Sequence, residues 1–157
     1  MPALWRIATD TPDYGSDDLT GKGAELTGGR WNRKGTPMLY ASPTIALACL
    51  ESLVHLGSPD PLPLNRYLVE ISVPQALWDA RTRFDAAMHV GWNAEPAGLV
   101  SLDWGTEWAQ SLSALVAEVP SIVVPEESNV LLNPRHPDAD QLVARKVRRW
   151  TYDARLA

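Results

Sequence analysis

The spacing of apolar and polar positions changes period several times along the chain, and each change marks an element. "ALWRIA" at residues 3–8 and "RYLVEISVP" at 66–74 alternate as half-buried strands do, and "PMLYAS" at 37–42 reads as a third strand. Between the first and third lies "TDTPDYGSDDLTGKGAELTGG", dense in Gly, Asp, Ser and Thr, which predicts loop with at most a short helix. "SPTIALACLESLVHLG" at 42–57 predicts a strong helix, with Ser42 as N-cap, Pro43 at the first helical position and Gly57 at the stop. From Ile45 to Leu56 it is apolar almost all round, so burial on most sides is expected. "SPDPLPLN" then breaks the chain, and the stretch from Trp78 to about Trp104 has no clear period and predicts irregular structure. "DWGTEWAQSLSALVAEV" has helical spacing from a cap at Asp103, "PSIVVP" and "NVLLNP" are short apolar runs closed by prolines, and "ARKVRRWTYD" predicts a final strand.

These strands and helices do not alternate regularly, which favours an α+β domain with a central mixed β-sheet and flanking helices over a doubly wound sheet. A chain of 157 residues fits one domain, residues 1–157. No Gly-x-Gly-x-x-Gly turn and no P-loop is present, since "TGKGAELTGG" has the spacing of neither. The apolar fraction of 45% and charged fraction of 21% are those of an ordinary soluble protein, with no signal peptide or membrane segment expected. A single cysteine, Cys49, excludes an internal disulfide framework and fits a reducing cytoplasm. The net charge of -5 argues against a general nucleic-acid binder, and the basic run "VARKVRRW" reads as a solvated edge strand. The three histidines, His55, His89 and His136, show no metal-ligand spacing, so no metal is expected.

Candidate chemistry sits in three places. On the apolar helix, Thr44, Glu51 and His55 form one polar stripe, which either meets water or lines a cleft; a carboxylate fixed on a rigid helix suits the second use. In "GGRWNRKGTPMLY" at 28–40, Arg30 is either a surface residue after a glycine turn or a guanidinium fork for a phosphate or ribose. Tyr40 is either core or a stacking ring at the mouth of a cleft. In "VPSIVVPEESNVLLNPRHPD", Ser121 lacks the elbow and the histidine that a serine nucleophile needs, so it reads as a hydrogen-bonding residue. Asn129 and Asn133 either shape turns or bind a ligand. Arg33 and Lys34 add charge beside Arg30, and Arg6 in the first strand is a further candidate for the cleft. The seven tryptophans raise a sugar-binding surface, but their scatter along the chain favours packing in core and loops.

Taken together, "GGRWNRKGTPMLYASPTIALACLE" and "VPSIVVPEESNVLLNP" resemble the RES-domain family, toxins paired with Xre-type antitoxins, and the resemblance runs from "LWRI" through "NPRHPD". It implies a fold similar to the diphtheria-type ADP-ribosyltransferase toxins. It also implies NAD+ as substrate rather than a resident cofactor, with the nicotinamide–ribose bond broken and ADP-ribose passed to a protein, to phosphate or to water. The family arginine falls on Arg30, the tyrosine on Tyr40, the glutamate on Glu51 and the serine on Ser121, with Ser128 as the alternative. Arg30, Tyr40 and Glu51 are the expected catalytic residues. Arg30, Tyr40, Ser121, Trp31, Asn32 and Asn129 are expected to contact NAD+. The expected partners are NAD+, a cognate Xre-type antitoxin and a protein target. The readings set against this enzyme are a catalytically silent partner-binding module and a carbohydrate-binding domain.

Overall fold

In the computed structural model, which describes residues 2–57 and 63–156, the strands form two sheets. The first is antiparallel throughout, in the order β1 (Ala3–Thr9), β3 (Arg66–Ser72), β7 (Val143–Arg149). The second has the order β2 (Leu39–Ala41), β6 (Ser128–Leu132), β5 (Val116–Pro120), β4 (Thr82–Arg83), and only its β4–β5 pair is parallel. The chain is therefore α+β as expected, but the single central mixed sheet is corrected to two sheets. They are joined where Trp5 and Ser42 exchange backbone hydrogen bonds of 2.8 Å in both directions.

The period-2 geometry of strands explains the core. Leu4, Ala8, Val69 and Ile71 of the first sheet meet Leu39, Ala41, Val130 and Leu132 of the second. On the opposite face of the second sheet, Ala117, Val119 and Leu131 meet Trp31, Met38, Trp92 and Trp108. Because β5 and β6 are covered on both faces, they read as near-continuous apolar runs rather than alternating ones. Strand β7 is an edge, as its charge suggested, and it is exposed or half-buried along its length.

Expectations about several elements are revised. Helix α2 (Ile45–Leu56) is capped by Thr44, whose Oγ1 accepts from the Leu47 N–H at 3.1 Å, because Ser42 is already committed to Trp5. Gly57 ends it with a φ of 73°, and residues 58–62, most of "SPDPLPLN", lie outside the described residues. That helix buries only Leu47 and Ala48 and leaves Leu50 and Val54 exposed, since it rests against β1 on one side. The irregular middle holds helix α3 (Gln75–Asp79), strand β4 and the start of α4 (Leu99–Ser111), which begins at Gly98 rather than Asp103. Helix α4 also stops early: Leu112 turns left-handed at φ 56°, and "VAEVP" becomes β5. The earlier α1 (Lys22–Thr27) is the short helix allowed in the polar loop. "SIVVP" is a turn after β5, so Ser121 follows a strand instead of preceding one.

Candidate functional site

The cleft of about 760 Å³ lies between β1, β2, α1 and α2, and Arg6, Arg30, Tyr40, Glu51 and Asn129 all line it. That volume is in the range of pockets for small-molecule ligands. His55, one turn beyond Glu51 on α2, also reaches the wall, so those two members of the polar stripe face the cleft, while Thr44 is spent capping the helix.

Glu51 is held from two distant segments of the chain. The Oγ of Ser121, a fully buried residue, accepts from the Val123 and Val124 N–H groups at 3.1 and 3.0 Å. Both acceptor positions of the hydroxyl are then filled, so its one proton is donated to Glu51 Oε1, 2.5 Å away. Asn129 Nδ2 donates to the same oxygen at 2.8 Å, and its Oδ1 accepts from Ser42 Oγ at 2.8 Å, which fixes the amide orientation. Oε2 of Glu51 takes no hydrogen bond from the described residues. Ser121, not Ser128, is the serine at the glutamate, and Asn133 lies elsewhere, bonded to the Ala109 carbonyl. Ser42 is the member of this network that sequence reading missed, because "SPT" looked like a helix cap.

The turn at 28–32 builds the other wall. Gly28 has a φ of 73° and Gly29 pairs with Asn32. Tyr40 donates to Asn32 Oδ1 at 2.5 Å and accepts from the Trp31 N–H at 3.1 Å. Burial pushes the Tyr40 phenol well above its ordinary pKa, so it remains a neutral donor. The expectation that Asn32 contacts a ligand is corrected: it is fully buried, and its amide donates to the Ala24 and Thr36 carbonyls at 2.8 and 2.9 Å. Asn32 instead aims Tyr40. Trp31 borders the cleft, and its indole also packs in the core, edge-on to Phe84 and Trp104 at 4.9 and 5.8 Å between centroids.

Gly29 explains why this turn needs two glycines. A Cβ there would sit 2.7 Å from the Tyr40 hydroxyl and 3.0 Å from Asn32 Oδ1. Gly29→Ala is therefore expected to cost about 1–3 kcal/mol, read as a lower thermal midpoint. Combined with Tyr40→Phe, which removes the clashing oxygen, the losses are expected to be less than additive.

Arg6, Arg30 and Arg66 line this cavity, and the first two stand in different states. Arg30 Nη1 donates to the carbonyls of Trp92 and Ala94 at 3.2 and 2.8 Å, and Nη2 to Glu95 Oε2 at 2.6 Å. Arg6 lies on the inward face of β1, between Leu4 and Ala8, and its Nη1 is buried with no hydrogen-bond partner among the described residues. Burial lowers the pKa of Arg6 from its ordinary value, against the opposing pull of Asp18 and then Tyr14. An inward guanidinium with an unused donor is costly unless an anion completes it. Arg33 leaves the cleft and pairs with Asp103 on α4.

The family model described as RES domain matches residues 3–155. A Prs ADP-ribosylating toxin of Sphingobium sp. (strain YBL2) is 55% identical over 155 residues, covering 98% of this chain and 96% of the relative. Two proteins named Toxin Res are also similar. That of Yersinia enterocolitica is 40% identical over 78% of this chain and 79% of its own length. That of Pseudomonas putida is 36% identical over 98% of both.

Proposed function

The chain belongs to the RES-domain family, and from that premise we propose that it is a toxin enzyme that binds NAD+ and breaks its nicotinamide–ribose bond. The observation that carries this is Glu51: one carboxylate oxygen is pinned by Ser121 and Asn129 and the other is free among the described residues, in a cleft also lined by Arg6, Arg30 and Arg66. In the reaction the C–N bond breaks and its electron pair stays on the nicotinamide nitrogen, which loses its positive charge. Positive charge develops on the ribose ring, and the acceptor oxygen or nitrogen then bonds to the anomeric carbon and releases its proton. A preorganised carboxylate stabilises the cationic sugar without having to reorient at the moment of reaction. Arg30 and Arg6 hold the anionic part of the dinucleotide through guanidinium forks. Tyr40, fixed as a neutral ring at the cleft wall, stacks on the nicotinamide.

Among acceptors, a protein is favoured over water or phosphate. The support is the Sphingobium relative, whose name states that it ADP-ribosylates Prs and which shares 55% of its residues with this chain. A cognate Xre-type antitoxin as neutralising partner belongs to the same proposal. The test is to incubate purified protein with NAD+ and cell extract, then measure free nicotinamide and the mass of the extract proteins. Nicotinamide release with a protein gaining one ADP-ribose is expected. Release without any modified protein would move the acceptor to water or phosphate, and no release would remove the enzyme reading altogether.

A further inference from the structure

We propose that Glu95 is a tethered anion that occupies, on Arg30, the place a substrate phosphate takes, and so sets the affinity of the cleft for its anionic substrate. This rests on the reading of the cleft as a dinucleotide site. The hydrogen bonds of Arg30 divide into two kinds. Nη1 is held by two neutral backbone carbonyls, of Trp92 and Ala94, and these suffice to fix the plane of the guanidinium. Nη2 goes to a charged group through a single oxygen, Glu95 Oε2 at 2.6 Å. The two side chains differ sharply in exposure: Arg30 is 13% accessible and Glu95 is 74% accessible. Glu95 therefore reaches Arg30 from the solvent side, and both residues line the cleft.

A carboxylate and a phosphate oxygen offer a guanidinium the same kind of charge-assisted hydrogen bond. An exposed carboxylate in a one-oxygen contact is also easily displaced, because water competes for both partners. Arg30 is thus preset in orientation by the carbonyls and covered by a removable anion. A ligand that needs Nη2 meets a site that is only partly vacant, and its apparent affinity falls by that fraction. The carboxylate discriminates by charge, since only an anionic ligand competes with Glu95 for the same donor.

The experiment measures NAD+ binding by calorimetry in a Glu51→Gln background, where turnover is slow enough for binding to be read. Adding Glu95→Gln is expected to tighten NAD+ about two- to fivefold, the scale of an exposed ion pair. Nicotinamide riboside, which lacks phosphate, is expected to bind equally to both proteins. A structural role for Glu95 would have the opposite sign, since a loosened Arg30 would weaken NAD+. Arg30→Ala in the same background, with its thermal midpoint checked, separates the two levels of the proposal. If Arg30→Ala binds NAD+ as well as its parent, the dinucleotide reading of the cleft fails. If Arg30→Ala loses binding while Glu95→Gln leaves NAD+ unchanged or weaker, only the role of Glu95 is overturned.

Discussion

Glu51→Gln is expected to fold as the parent does and to release nicotinamide from NAD+ about a hundred to a thousand times more slowly. The amide is nearly isosteric with the carboxylate, and its carbonyl oxygen can still accept from Ser121 Oγ and Asn129 Nδ2, as Glu51 Oε1 does at 2.5 and 2.8 Å. What disappears is the negative charge at the free position, the part that a cationic transition state uses. Thermal unfolding should therefore be unchanged within about 1 kcal/mol, because surface-accessible isosteric changes seldom cost more. Glu51→Ala makes a useful contrast. It strips a buried hydroxyl and an amide of their shared acceptor, which costs about 1–3 kcal/mol in addition to the loss of activity. Nicotinamide release at the parental rate by a well-folded Glu51→Gln protein would sink the assignment.

The largest expected effect on stability lies away from the cleft, at Gly105→Ala. Gly105 is in the middle of α4, where alanine ordinarily stabilises a helix by up to about 1 kcal/mol. Here the sign reverses, because a Cβ would fall 1.8 Å from the carbonyl oxygen of Trp31 and 2.7 Å from its carbonyl carbon. Those atoms are backbone and cannot rotate away, so α4 and the 28–32 turn must separate. A loss of about 3 kcal/mol or more is expected, which lowers the midpoint by about 6–12 °C. NAD+ consumption should fall as well, since Arg30 precedes Trp31 and the Arg33 N–H is tied to α4 through Thr106 Oγ1 at 3.0 Å. The control is Gly23→Ala in α1, where the nearest atom is the flexible Tyr14 hydroxyl at 3.1 Å and little loss is expected. Equal stability of the two variants would show that α4 and Trp31 are not in rigid contact.

These two residues also show how legible the molecule was from its sequence. Glycine at 105 inside a helical pattern carried no warning, because what forbids a Cβ is a carbonyl 74 positions earlier in the chain. The end of α4 was unreadable for a related reason. Leu112, Leu115, Val116 and Val119 keep helical spacing, and only pairing with β6 makes the last of them a strand. The middle segment from Trp78 looked periodless because Trp92 and Trp104 pack on Phe84 rather than along one face. Out of that segment comes Glu95, which no local pattern marked.

By itself, the sequence determined the α+β class, most strands, the apolar helix with Gly57 at its end, and the residue types of the candidate site: Arg30, Tyr40, Glu51 and Ser121. The class, strands and helix follow from local periodicity and capping chemistry, which are properties of neighbouring residues, whereas the site residues were singled out by the resemblance to the RES-domain family. Tertiary structure alone decided that Ser121 and Asn129, 70 and 78 positions from Glu51, converge on one of its oxygens and leave the other free among the described residues. It also decided that Asn32 is spent on Tyr40, that Arg6 turns inward with a donor unused among the described residues, and that Glu95 covers Arg30. Hydrogen bonds are satisfied in space rather than along the chain, so which polar atoms are consumed and which remain for a ligand is settled only once the sheets have closed.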